Sequence, residues 1–483
     1  MGSTMDDRQA RAAAANAAAA EVVAALVARA RAAQSVAAGY DQAQLDAMVF
    51  ACGWAIMEPA RNRALAELSV RDTGLGNVED KVTKNHRKTL GLLRDLKGAV
   101  STGVLAEIPE LGLTELARPV GVVCAVVPST NPGATPANNI INALKCGNAI
   151  ILSPSPKGMS TARLLLEYMH AALDTVGAPR DLVQMLPQPV TKELSRELMR
   201  QCDLVVVTGS QANVRAGYSS GTPALGVGAG NVAVIVDASA DIADAAAKIM
   251  RSKTFDNATS CSSENSVIIV DAVYDAMVAA LEAEGAVMLS DEEKATLGRT
   301  MFPDGQHLSS AVTAQAVSKV CAVAGLTRPA LSTARCLMVE EAGTGPAHPF
   351  SGEKLSPVLT VYRASDFDHA FSILRDIYAY MGNGHSCGIH SKDDAHIDRL
   401  GREMTVCRVI VNQAHAIANG GSFDNGLPFS LTMGCGTWGR NSFSENLNYR
   451  HFMNTTRVVR TIAAREPSLE DIFGAHWARH GRG

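Results

Sequence analysis

The sequence predicts an α/β protein built from two doubly wound lobes, and three observations carry that expectation. Short, nearly continuous apolar runs recur at PVGVVCAVVP (119–128), NAIILSP (148–154), DLVVVTGS (203–210) and NVAVIVD (231–237), with helix-like segments between them. Runs of this kind suit parallel strands buried on both faces by crossover helices. A second series follows NVAVIVD, which implies a second lobe joined near residue 233. The chain of 483 residues is 47% hydrophobic and 19% charged, enough to fill the cores of two or three domains.

Taken in order, residues 6–35 are dense in Ala and free of Pro and Gly, so they predict a long first helix. Its Arg and Ala content and small apolar face favour an ordinary packing helix over a targeting or encapsulation helix. The segment TGVLAEIPELGLTELAR (102–118) combines alternation with turn signals and predicts a hairpin ahead of the first core strand. In the second series SADIADAAAKIMRSKTF (239–255) reads as helix, SVIIVD (266–271) as strand and YDAMVAALEAEG (274–285) as helix. LTVYRA (359–364) and CRVIVN (407–412) read as further strands, and NTTRVVRTIAA (454–464) as a late strand outside both lobes. Elements outside the lobes are expected to mediate assembly.

Lys plus Arg number 44 against 48 Asp plus Glu, a formal net charge of −4, and no basic run is present to follow a phosphate backbone. Nucleic acid is not an expected partner. Ten cysteines are spread without any CxxC pair, which argues against a disulfide framework and a zinc cluster and fits a reducing cytoplasm. No uninterrupted apolar run approaches the ~18 residues that span a bilayer, so no membrane partner is expected.

The stretch DNATSCSSENS (256–266) raises the question of chemistry. A cysteine between a helix and a strand is usually a small core hydrophobe. Cys261, however, sits among Asn257, Thr259, Ser260, Ser262, Ser263, Glu264 and Asn265, a polar setting suited to a reachable thiol. VVVTGSQANVRAG (205–217) reads as strand, tight turn and helix start, with Gly209 and Ser210 placed to donate to a pyrophosphate at a helix N-terminus.

Several motifs occur in one order. They are TGLGNVEDKVTKN (73–85), RPVGVVCAVVPSTNPGATPANNIINALKCGNAIILSPSPKG (118–158), GVGAGN (226–231), EKLSPV (353–358), GNGHS (382–386) and SLTMGCGTWGRNSFSEN (430–446). Together with the cysteine stretch they resemble the coenzyme A-acylating branch of the aldehyde dehydrogenase superfamily, from about residue 60 to residue 460. The resemblance implies a Rossmann-type cofactor domain over 1–101 and 119–232 and a catalytic domain over 233–445. A small β oligomerisation element from 102–118 and 446–483 completes the expected fold, as a homodimer or homotetramer. It implies NAD or NADP as cofactor, coenzyme A as co-substrate and no metal, in the cytoplasm or inside a bacterial microcompartment.

The same resemblance assigns residues. Cys261 is the expected nucleophile, with its own backbone N–H and the Asn131 side-chain amide stabilising the oxyanion; His385 is a further expected catalytic residue. Ser129, Thr130, Ser153, Ser155, Thr208, Gly209, Ser210, Gly228, Glu353 and Leu355 are expected to bind the dinucleotide. In hydrolytic relatives a glutamate begins the glycine motif and activates water, whereas Val227 stands at that position here. A valine cannot act as a general base, so the expected acceptor of the acyl group is the thiol of coenzyme A. Arg440 stands where the branch usually has glycine, and its guanidinium is a candidate to bind an anionic aldehyde such as sulfoacetaldehyde or succinate semialdehyde. Acetaldehyde and other short aldehydes are the alternative, as is a hydrolytic enzyme or a non-catalytic descendant of the fold.

Overall fold

The computed structural model describes residues 3–483; residues 1 and 2, the start of the expected cofactor domain, lie outside the described residues. The first helix spans Ser3–Ala37. Val23, Leu26, Val27, Ala30, Ala33 and Ala37 bury one stripe of it in the core of the first lobe, and Arg31 pairs with Asp203 beyond that stripe. The second half is therefore the packing helix expected. By length and composition alone, Ala13–Ala37 also meets the requirement for crossing a membrane.

A hairpin of β1 (Gly103–Ile108) and β2 (Leu113–Pro119) turns at Gly112, whose φ of 61° a side chain would resist. The chain then enters a five-stranded parallel sheet of β3 (Val122–Val127), β4 (Ala149–Pro154), β5 (Val183–Met185), β6 (Leu204–Val207) and β7 (Ala224–Gly226). Every residue of β3 and β4 is buried, as a strand covered on both faces requires. The strand order is β5-β4-β3-β6-β7, so the crossovers leave β3 in opposite directions. That reversal opens a crevice at the C-terminal ends of β3 and β6, the usual ligand position in such sheets.

The second sheet has seven parallel strands. They are β8 (Val232–Val236), β9 (Glu264–Val270), β10 (Ala286–Met288), β11 (Cys336–Glu340), β12 (Val358–Ala364), β13 (Cys387–His390) and β14 (Val409–Val411), in the order β10-β11-β12-β9-β8-β13-β14. Finally β15 (Met453–Val459) pairs antiparallel with β2 and completes a three-stranded sheet β1-β2-β15 outside both lobes. The sequence reading missed β5, β7 and β10, three residues each and too short to show a period. It also missed β11 and β13, and it carried β15 five residues too far.

Candidate active site

A cavity of about 780 Å³ lies between the loops of the two parallel sheets. The loops that leave β3, β4 and β6 at their C-terminal ends form one wall, and the loops that enter β8, β9 and β12 form the other. Cys261, Asn131, Ser129, Thr130, Ser153, Ser155, Thr208, Gly209, Ser210, Gly228, Glu353 and Leu355 all line it. Residues separated by more than two hundred positions in sequence thus meet because both parallel sheets turn their loops toward one gap.

The loop before Cys261 is tightly held. Asp256, Asn257 and Ala258 take φ values of 51°, 52° and 58°, a left-handed run that side chains resist and that persists only where surroundings impose it. The surroundings come from the helix Val78–Leu96 and the turn before it. The backbone N–H of Asn77 donates to Asp256 Oδ1 at 2.9 Å, and Asp80 Oδ2 accepts the Asp256 N–H at 2.7 Å. Lys81 Nζ and Lys84 Nζ both reach Asp256 Oδ2, at 3.0 and 2.5 Å. Burial pushes the Asp256 carboxyl up, but Lys84 and Lys81 more than offset this and hold it below its ordinary value. A Cβ on Gly76 would meet Asp256 Oδ1 at 1.9 Å, which explains the glycine in TGLGN.

Lys84 does a second job. Its Nζ donates to Asn131 Oδ1 at 2.8 Å and to Thr259 Oγ1 at 3.0 Å, two residues before Cys261. With Oδ1 engaged, the orientation of the Asn131 amide is set and its N–H donors turn away from the lysine. Gly230 completes the packing on the other side, since a Cβ there would meet the Cys261 carbonyl oxygen at 2.3 Å and its Cβ at 2.6 Å.

The Cys261 thiol is pushed up to about 12, by burial first and then by the Glu353 carboxylate and Cys435; the Ser262 hydroxyl and Arg408 oppose this. In the free protein the group is therefore a thiol. Burial pushes Glu353, the single carboxylate on the cavity wall among the described residues, up to about 8, against the pull of Lys253 and Lys354. At neutral pH it is mostly the uncharged acid. Val227 lines the cavity with an apolar side chain, and its carbonyl accepts from Gln211 Nε2 at 3.2 Å.

The residues expected to hold the dinucleotide fit the task geometrically. Ser210 caps the helix Gln211–Tyr218, its Oγ accepting the Asn213 N–H at 3.3 Å, which leaves its O–H free to donate. Gly209 precedes it at the mouth of the crevice. Ser153 Oγ lies 2.9 Å from Ser195 Oγ, and Lys192 and Arg196 extend the wall beyond them.

Two expected residues lie elsewhere. His385 is not on the cavity wall: it is fully enclosed, with Nδ1 2.8 Å from Ser386 Oγ and its carbonyl accepting from Arg408 Nη2 at 2.9 Å. Burial and Arg408 push its imidazole down to about 3, so it stays neutral. Arg440 is also absent from the wall; it is exposed, at a left-handed φ of 57° after the short turn Thr437–Gly439. What the sequence reading missed is a basic face of the helix Val78–Leu96, where Lys84, Arg87 and Lys88 line the cavity. The spacing in KVTKNHRK, with cations at i, i+3, i+6 and i+7, would have shown them on one face.

Comparison with known proteins matches the aldehyde dehydrogenase family over residues 5–324. The chain belongs to the aldehyde dehydrogenase family. An acylating sulfoacetaldehyde dehydrogenase from Cupriavidus necator is 60% identical over 450 residues, covering 93% of this chain and 91% of that protein. A second acylating sulfoacetaldehyde dehydrogenase, from Bilophila wadsworthia, is 42% identical over 93% of this chain and 97% of its own length. Among solved structures, an acetylating aldehyde dehydrogenase from Geobacillus thermoglucosidasius superposes with a TM-score of 0.89 at 33% identity, covering 94% of this chain and 99% of that one.

Proposed function

We propose that the protein is a coenzyme A-acylating aldehyde dehydrogenase that converts a short anionic aldehyde, coenzyme A and NAD(P)+ to the acyl-CoA and NAD(P)H, with sulfoacetaldehyde as substrate. The observation that carries this reading is one cavity holding Cys261 and the Lys84-oriented Asn131 amide, with Val227 where a water-activating carboxylate would stand. The names of the two sulfoacetaldehyde relatives support the substrate.

Chemistry begins when the Cys261 thiol releases its proton to solvent and the thiolate adds to the carbonyl carbon, because an aldehyde carbon has no hydride to release until it is tetrahedral. The alkoxide that forms takes hydrogen bonds from the Asn131 amide and the Cys261 backbone N–H, donors fixed before charge develops. When bound between Gly209, Ser210 and Glu353, the dinucleotide supplies the hydride acceptor. Loss of hydride from the tetrahedral carbon leaves a thioester on Cys261. Water attacks this thioester poorly, since Val227 accepts no proton and Glu353, pushed up to about 8, is mostly protonated. The thiolate of coenzyme A then adds to the same carbon and expels the Cys261 thiolate. Because one thioester is exchanged for another, the sequence also runs in reverse.

Assembly as a homo-oligomer is supported by the outer edge of β15, exposed from Asn454 to Val459, and by the exposed apolar residues Leu469, Ile472 and Phe473 of the C-terminal helix Leu469–His480. Ten unpaired cysteines support a reducing cytoplasmic location.

The test is spectrophotometric. NAD(P)H formation from sulfoacetaldehyde is expected to require coenzyme A, and Cys261→Ala is expected to abolish turnover while leaving dinucleotide binding intact. Full turnover without coenzyme A would favour the hydrolytic reading; equal efficiency with acetaldehyde would favour the neutral one.

A further inference from the structure

We propose that Arg87 and Lys88 form the anion subsite of this cavity and hold the charged head group of the aldehyde. The inference rests on the acylating reading and specifies which residues of that site select its substrate. Both side chains line the same cavity as Cys261, on the helix Val78–Leu96. Four cations share that face, Lys81, Lys84, Arg87 and Lys88, but its one buried carboxylate, Asp256, is taken by Lys81 and Lys84. Among the described residues neither Arg87 nor Lys88 has a carboxylate oxygen within 4.0 Å. Asp424 acts on Arg87 only at longer range, and it accepts the Ser422 hydroxyl.

The two cations are oriented by neutral groups. Arg87 Nη2 donates to Ser422 Oγ at 2.9 Å and Nη1 to the Ile417 carbonyl at 3.3 Å, so most of its five N–H donors stay available. Phe423 and Phe429 flank the guanidinium, with ring centroids 5.9 and 5.6 Å away. Lys88 Nζ is buried, donates to the Gly420 carbonyl at 2.6 Å and has no other hydrogen-bond partner. Burial first, then Arg87 and Lys84, push the Lys88 amine well below its ordinary value, and burial and Arg251 push Arg87 down; an anion seated between the two side chains would restore the charge of the one and pair with the other.

Spacing agrees with a short substrate. Lys84 touches Asn131 and Thr259 beside the reacting carbon, and Arg87 and Lys88 follow one helical turn later, a rise of about 5.4 Å. That separation is comparable to the length of a two-carbon aldehyde ending in an anionic group. Arg440, exposed and off the wall, is not part of this subsite.

The experiment compares kcat/KM for sulfoacetaldehyde with that for propionaldehyde in the full-length protein, for the wild type, Arg87→Gln, Arg87→Lys, Lys88→Met and Arg440→Gln. Arg87→Gln and Lys88→Met are each expected to lower the sulfoacetaldehyde-to-propionaldehyde ratio by ~10²-fold, Arg87→Lys by less, and Arg440→Gln not at all. Propionaldehyde turnover reports that each variant is folded, and ethanesulfonate inhibition, competitive with aldehyde, is expected to weaken in parallel. A wild type that does not prefer sulfoacetaldehyde defeats the substrate reading itself. A wild-type preference that survives in Arg87→Gln and Lys88→Met overturns the subsite and leaves that reading standing.

Discussion

Cys261 meets its substrate as a thiol that must be made a thiolate, because burial and Glu353 push it up to about 12. Below that value the reactive fraction falls tenfold for each unit of pH. Alkylation by iodoacetamide, followed by mass spectrometry of the peptide containing Cys261, is therefore expected to accelerate steadily between about pH 6 and pH 9 without a plateau. Glu353→Gln removes a neighbouring negative charge that exists mainly above about 8, so the variant should react faster at about pH 9 and no faster at about pH 6. A plateau below neutrality in the wild type would contradict this. Lys84→Met should act through Asn131: kcat is expected to fall ~10²-fold as the oxyanion donor loses its fixed orientation, while dinucleotide affinity holds. The same change leaves buried Asp256 with one cation, at a cost of ~3–5 kcal/mol that a thermal melt would register.

At the scale of elements, the helix Val78–Leu96 ties three parts of the cavity together: the Cys261 loop through Asp256, the loop after β3 through Asn131, and the basic wall. Its motif was visible in the sequence, but its task was not, because Asp256 lies some 175 residues from Lys81. Ala258, at φ 58°, holds the least comfortable conformation of the loop for a side chain without hydrogen-bonding groups. Ala258→Gly should relieve this strain by up to about 1 kcal/mol and raise the melting temperature slightly. It should also lower kcat, since the restraint that aims Cys261 is relaxed; unchanged kcat with unchanged stability would mean that the left-handed run carries no strain. The strands tell a similar story. Long buried runs such as Val122–Val127 were legible from composition, whereas Ala286–Met288 is a strand only because Cys336–Glu340 lies beside it.

For the whole molecule, the two parallel sheets matter less as cores than as walls, one offering C-terminal loops and the other N-terminal loops to one cavity. The third sheet stands apart and leaves β15 with an open edge. Replacing Thr456 with Pro disturbs the pairing of β15 with β2, and adding Val459→Lys charges the apolar margin beside it. The double variant is expected to shift the mass measured by light scattering toward the monomer, while the wild type gives a dimer or tetramer. A wild type that is monomeric at micromolar concentration would remove the assembly role.

The sequence by itself determined the α/β class and the family through its colinear motifs, and it singled out Cys261 as the candidate nucleophile, since apolar runs report burial and the motifs are local. It also fixed the absence of a base at Val227, a property of one position that needs no coordinates. Only the tertiary structure decided which polar residues share a cavity. His385 and Arg440 looked functional in their motifs, yet one is enclosed beneath Arg408 and the other faces solvent. Arg87 and Lys88 drew no notice in a charged helix, yet folding turns them into the cavity that Cys261 also lines. The physical reason is that charge and hydrogen bonding act through space, and loops from two separate sheets that meet at one cavity set distances that spacing along the chain does not encode.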